Sequence, residues 1–245
     1  VLVFSAVVWG ALVAVSGAFA AGERGAAPIS DTRSLFVPVG FNDNNEVVVV
    51  LDGYLGGDCY ELRAPRVNVD LASHRIQVEA MAERVQEYCH LIALPFTAVV
   101  PVGVLPVGTY TVIGGRGRLH QTLDVVKARV ATGDDYPYAG IQSLRVGNGP
   151  TEDSVIAILR GKFTNTCQKI GEMRVTHTGP TIQIQPILAV DGADAHGEPC
   201  ADKIIGFEKK VEIDGLSRGR YLIHVRSAAG QSRNEVIDFP LLWED

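Results

Sequence analysis

Along most of the chain, hydrophobic residues recur at every second position. Residues 67–70 (VNVD) and 76–79 (IQVE) alternate apolar and polar side chains across a polar turn that contains Ser73 and His74. This period of two predicts strands with one buried and one wet face. Residues 46–51 (EVVVVL) form a β-branched run, and residues 109–113 (TYTVI) and 121–125 (QTLDV) flank a glycine-rich stretch, 114–118 (GGRGR), that predicts a hairpin tip. The same texture returns in residues 154–159 (SVIAIL), 182–187 (IQIQPI), 209–213 (KKVEI), 221–225 (YLIHV) and 235–239 (EVIDF). Short strands broken by frequent turns, about seven to a unit, with no helical period beyond the amino terminus, predict an all-β chain of antiparallel sandwiches.

The pattern is also duplicated. Cys89, Phe96, Leu105, Gly108 and Tyr110 recur at the same spacing as Cys200, Phe207, Leu216, Gly219 and Tyr221. Upstream, Gly53 lies six residues before Cys59 and Gly161 six before Cys167; Val67 and Val175 follow these cysteines by eight, each preceded by arginine. So many matched offsets imply an internal repeat of roughly 90 to 100 residues, the size of a domain rather than of a solenoid turn. In the shared Leu-x-x-Gly-x-Tyr, the leucine is expected to close one strand, the glycine to take a positive φ in the turn, and the tyrosine to open the next strand with its ring over the core.

Ahead of the repeats, residues 1–22 carry no charge, and at about 1.5 Å per residue such a run can cross a hydrocarbon core of about 30 Å as one transmembrane helix. Two readings compete. Ala18-Phe19-Ala20 followed by Ala21-Gly22 has the form of a signal-peptidase site, which predicts removal; the length of the run predicts a retained single-pass anchor. Either way the remainder is exported. The expected organisation is an anchor or signal at 1–22, a tether at 23–34, a first sandwich at 35–128, a linker at 129–150 and a second sandwich at 151–245.

The cysteines agree with export. There are four, two per repeat at matched positions, and an even count in an exported chain reads as disulfides. Four cysteines allow three connectivities; duplication makes Cys59 with Cys89 and Cys167 with Cys200 the economical pairing. A net charge of −6 and the lack of a basic stripe interleaved with aromatics argue against nucleic acid.

Strand number and domain size resemble an immunoglobulin-type sandwich, although the longer cysteine interval with a core tryptophan is absent; the tryptophans are Trp9 and Trp243. The repeated cysteine, Pro-Phe or Gly-Phe, alternating valines and Leu-x-x-Gly-x-Tyr resemble a tandem Ig-like domain of exported bacterial proteins of unassigned function, which implies no catalytic residue. An anchor followed by tandem sandwiches also resembles membrane-anchored periplasmic accessory subunits of bioenergetic assemblies, such as bacterial photosynthetic reaction-centre complexes.

Tests for chemistry return little. Residues 215–219 (GLSRG) match the G-x-S-x-G nucleophile elbow, but the equivalent of Ser217 in the first repeat is Pro106, and a strand rather than a helix is expected to follow. None of the six histidines sits in a ligand motif such as H-E-x-x-H, and surface or half-buried positions are expected for them. The oxygen-rich stretches 42–46 (NDNNE) and 191–194 (DGAD) could serve a hard cation such as Ca²⁺, yet neither has EF-hand spacing. No catalytic residue, cofactor or metal ligand is therefore expected.

Contact surfaces are better represented. Tyr136 and Tyr138 beside Pro137, and Trp243 in the tail, have the amphipathic character favoured at interface cores; the competing expectation is that the two tyrosines pack between the domains and Trp243 covers a sandwich end. Gly10, Ala14 and Gly17 would let the amino-terminal helix approach other transmembrane helices. The expected protein is a non-enzymatic accessory or scaffolding subunit of a membrane protein complex, held by one span in the bacterial cytoplasmic membrane with its bulk in the periplasm. The alternative is a soluble secreted binding module for a peptide, glycan or protease.

Overall fold

A computed structural model describes residues 25–241. Within them every regular element is a strand. The first repeat contains β1 (Ala27–Pro28), β2 (Asp31–Phe36), β3 (Phe41–Asn42), β4 (Val47–Leu55), β5 (Tyr60–Asp70), β6 (Arg75–Arg84), β7 (Leu94–Gly103), β8 (Gly108–Gly114) and β9 (Leu119–Val126). The second contains β10 (Ile141–Asn148), β11 (Val155–Asn165), β12 (Gln168–Thr178), β13 (Thr181–Val190), β14 (Asp202–Ile213), β15 (Gly219–Arg226) and β16 (Ser232–Phe239). The expected transmembrane helix lies outside the described residues. Among those described, no helix is long and apolar enough to cross a membrane.

Each repeat is built from two facing sheets. In the first, β2-β4-β7 opposes a sheet in which β5, β6, β8 and β9 pair in turn; in the second, β10-β11-β14 opposes β12-β13-β15-β16. The matching order is the duplication seen in three dimensions. Between the sheets lie two apolar cores, one around Val49, Leu51, Ile76, Val78 and Tyr110, the other around Leu159, Ile182, Ile184, Ile213 and Ile223.

Three expectations need correction. The sheets are not wholly antiparallel: β6 runs parallel to β8, and β13 to β15. The strand between each pair, β7 or β14, sits in the opposite sheet, so the chain crosses the sandwich and returns in its original direction, as a parallel pair requires. Residues 23–34, expected as a tether, include β1 and the start of β2. Residues 129–150, expected as a linker, include all of β10, the first strand of the second sandwich. β2 and β10 escape a period-two reading because each has a register shift against its partner, between Thr32 and Ser34 and between Ile141 and Ser143. A bulge inserts a residue and so interrupts the alternation of faces.

The bulges explain the repeated glycines. Gly53 pairs with Thr32 beside the first shift, and Gly161 with Ile141 beside the second. A Cβ on Gly53 would lie 2.1 Å from the carbonyl oxygen of Asp31, and one on Gly161 would lie 2.1 Å from that of Gly140. Across the other edge, Gly53 pairs with Phe96 and Gly161 with Phe207, and the Phe207 ring fills the space at Gly161, its Cζ lying 2.5 Å from where a Cβ would be. Phe207 also stacks on Phe163 at 4.4 Å.

The tyrosines of the repeat have a shared role. Tyr110 donates its hydroxyl to the Pro106 carbonyl at 2.9 Å, and Tyr221 donates to Ser217 at 3.0 Å. Each bond reaches four residues back across the corner where the chain changes sheets, which is a tyrosine corner. Leu105 and Leu216 are buried beneath it. The glycines of the motif, Gly108 and Gly219, do not take a positive φ; Gly103 and Gly215 do. Gly108 leaves space for the His74 ring, whose Cε1 would be 2.9 Å from a Cβ there.

The cysteines form the two bridges of the economical pairing, Cys59–Cys89 and Cys167–Cys200. Both tie the turn after the second long strand of a repeat to the loop that crosses between its sheets.

Candidate functional site at the seam of the two sandwiches

Two strands decide how the sandwiches meet. Along β4, Val47, Val49 and Leu51 point into the first core, which turns Val50 and Asp52 outward. Along β15, Ile223 and Val225 join the second core, which turns Arg220, Leu222, His224 and Arg226 outward. These outward faces meet each other. Phe36, Val50 and Leu222 form a small buried cluster with Val236 packed against it, so β4 and β15 are covered on both sides.

Polar groups fix the register of this contact. Arg220 spans it to Asp52, with Nε to Oδ2 at 2.6 Å and Nη2 to Oδ1 at 3.0 Å, and its Nη1 also reaches Asp238. The fork geometry suits guanidinium and carboxylate, and burial of Asp52 strengthens the pairing while making its loss expensive. Further along, Gln183 accepts a bond from the Val39 amide at 3.1 Å. Arg226 donates to the carbonyls of Val39 and Gly40 at 3.2 and 2.9 Å and lies 4.6 Å over the Phe41 ring.

Beside this seam is a cavity of about 720 Å³, walled by residues 44–46, by residues 132–138 and by the β15–β16 hairpin. Arg226 and His224 stand at its floor, 7% and 1% exposed. Burial lowers the Arg226 guanidinium from its ordinary value, opposed by nearby Tyr138, Asp134 and Asp135. Burial likewise pushes His224 down to about 4; its Nδ1 lies 2.7 Å from Asn234 Oδ1 and donates to it. Three buried atoms around the cavity, Arg226 Nε, Asn44 Oδ1 and Asp135 Oδ1, have no protein partner. The walls thus offer one cationic donor and two acceptors, a set that matches a small polar molecule better than an apolar one.

The tyrosines expected at a partner contact are spent here. Tyr138 is buried, accepts a bond from Gln185 Nε2 at 2.9 Å and bridges to Ile187, and burial raises its hydroxyl above the ordinary value. The amides of Ala139 and Leu188 bond to Pro186 and Pro137, so residues 137–139 are laid along β13 as an added edge. Tyr136 is half-buried, with the Arg174 guanidinium 4.5 Å from its ring. The contacts of both residues are with the second sandwich, in keeping with packing inside the chain, the reading weighed against a partner contact. Gly10, Ala14, Gly17 and Trp243 lie outside the described residues.

The oxygen-rich stretches also have structural employment. Asn44 Nδ2 donates to the carbonyls of Val130 and Thr132, Asn45 donates to Gly133, and Asp43 accepts from Lys127 and from the Ala128 amide. Residues 42–46 therefore buckle the inter-sandwich segment onto the first domain. Asp194 accepts from the amides of His196 and Glu198, closing its own turn. Ser217 is 3.2 Å from the Tyr221 hydroxyl within the tyrosine corner.

Sequence reasoning missed β15 as the organising strand and missed Asp52, Arg220 and Arg226. A signal existed, since an almost unbroken apolar run such as 47–51 or 221–225 marks a strand covered on both faces. No protein-family model, curated protein or solved structure matches the chain.

Proposed function

We propose that the chain is an exported, non-enzymatic scaffolding subunit of a membrane protein complex, anchored by its amino-terminal segment, with two Ig-like sandwiches standing on the periplasmic side. The observation that carries this reading is the seam. Two disulfide-stapled domains are joined by a part-buried ion pair and a shared apolar cluster, and such a joint holds distant surfaces in a fixed relation, as a scaffold needs. Two disulfides are compatible with an oxidising compartment. The bioenergetic assemblies named above remain the proposed setting.

The test is mild-detergent extraction of native membranes, native separation and mass spectrometry of whatever migrates with the chain. Stoichiometric migration with a large membrane complex is the expected result. Migration alone, without residues 1–20, would overturn the anchored reading.

The cavity favours a second reading, a secreted module that binds a small polar ligand at Arg226. Under that reading, zwitterionic or anionic small molecules raise the melting temperature of the native chain. Arg226→Lys, which keeps the charge and loses the fork, weakens that response.

A further inference from the structure

The pole of the first sandwich farthest from the cavity has a composition unlike the rest of the surface. The β6–β7 loop, residues 85–93, carries Leu91 and Tyr88 at 89% and 86% exposure, the highest values among the large hydrophobic residues described, with Ile92 and Val85 also exposed. This loop is not free to fold back and hide them. Cys89 is bonded to the fully buried Cys59. The Val85 amide donates to the Cys59 carbonyl at 2.8 Å, and the His90 amide donates to Asp58 at 2.9 Å. Arg84 holds the carbonyls of Gln86 and Glu87. Apolar side chains displayed on a braced loop mark a contact surface.

Three arginines share this pole. Arg116 donates to Pro28, Arg118 to Gly115 and Ser30, and Arg84 to its own loop; every one of these acceptors is a backbone carbonyl. Arg33, Arg63, Arg66, Arg160 and Arg174, by contrast, are neutralised by carboxylates. The acidic side chains around the loop are Glu87, Asp58, which is 2.7 Å from His90 Nδ1, and Asp31, which is paired with Arg33. A chain of net charge −6 thus places at one end three arginines that have no carboxylate partner among the described residues.

The connectivity says what that end faces. Ala27, Pro28 and Ile29 line the same groove as Leu91 and Ile92, and β1 follows the uncharged run 1–22 by five residues. Five extended residues span at most about 17 Å.

We propose that this pole is a membrane-surface contact, in which Tyr88, Leu91 and Ile92 enter the headgroup boundary while Arg84, Arg116 and Arg118 meet anionic headgroups. The proposal rests on the anchored reading. Tyrosine suits the interface because its ring is apolar and its hydroxyl remains wet. The guanidiniums are drawn to a negatively charged leaflet within a Debye length.

The experiment uses the full chain in vesicles of phosphatidylcholine and phosphatidylglycerol with acyl chains brominated near the headgroup. One variant, Tyr88→Trp with Trp9→Phe and Trp243→Phe, reports the pole; another, Trp243→Phe alone, reports residue 9. Blue-shifted, quenched emission from both is expected, with loss of the position-88 signal on adding Leu91→Glu and weaker quenching on pure phosphatidylcholine or in Arg116→Ala/Arg118→Ala. Quenching at residue 9 with water-like emission at position 88 leaves the anchor standing and overturns the contact. The contact is equally overturned if the position-88 signal shifts only when other membrane proteins are added. Quenching at neither position removes the anchored reading and the proposal together. Quenching at position 88 alone supports the contact and removes the anchor.

Discussion

Burial holds His224 near 4 against an ordinary 6.5, with the Arg226 charge adding to the depression and the Asn234 bond opposing it. Protonation is therefore refused by the folded chain and accepted by the unfolded one between those two values. In that window the unfolded state binds more protons, so stability falls as pH drops, by about 1.4 kcal/mol for each pH unit while the difference persists. His224→Gln keeps a donor within reach of Asn234 and has no proton to gain, so its stability loses this part of the pH slope. Urea midpoints of both chains at about pH 7 and about pH 5 check it; parallel slopes would mean that the ring is hydrated and titrates normally. His224 was expected among surface or half-buried histidines. Its setting depends on a second domain pressing on the outward face of β15, which local alternation does not encode.

Strands carry the part of the fold that was legible. Alternation placed β5, β6, β8 and β13, and the repeat placed both disulfides, because side-chain period and cysteine spacing are local or duplicated signals. β2 and β10 were hidden because the bulges at Thr32–Ser34 and Ile141–Ser143 shift the period. Gly53 and Gly161 sit opposite those bulges, and a methyl group at either would collide with backbone rather than with a flexible side chain. Gly53→Ala and Gly161→Ala should each cost about 1 to 3 kcal/mol through forced backbone displacement. Gly206 lies within β14 with open space where its Cβ would be, so Gly206→Ala should stay within about 0.5 kcal/mol of the parent. Chemical denaturation of the three variants separates steric demand from a general intolerance of alanine in these strands.

At the scale of the whole molecule, the question is whether two duplicated domains behave as one body. Each has its own core and its own bridge, and the sequence placed a linker at 129–150 without deciding how the domains dock; Tyr136 and Tyr138 were legible as contact residues, but nothing in their neighbourhood reveals that residues 137–139 lie along β13. The seam changes the expectation, because Asp52 is 1% exposed and loses its compensating charge whenever the sandwiches separate. Undocking breaks the Arg220–Asp52 fork and wets the Phe36, Val50 and Leu222 cluster, so the two domains should unfold in a single calorimetric transition. Arg220→Met leaves the Asp52 carboxylate buried and unpaired, which should cost on the order of 3 kcal/mol and resolve that transition into two. Combining it with Asp52→Leu replaces the pair by apolar groups and should restore much of the lost stability and the single transition. Scanning calorimetry of the wild type, the single variant and the double variant reads all three outcomes. Two transitions already in the wild type would show that the seam is too weak to couple the sandwiches, and the rigid joint behind the scaffold proposal would fall with it.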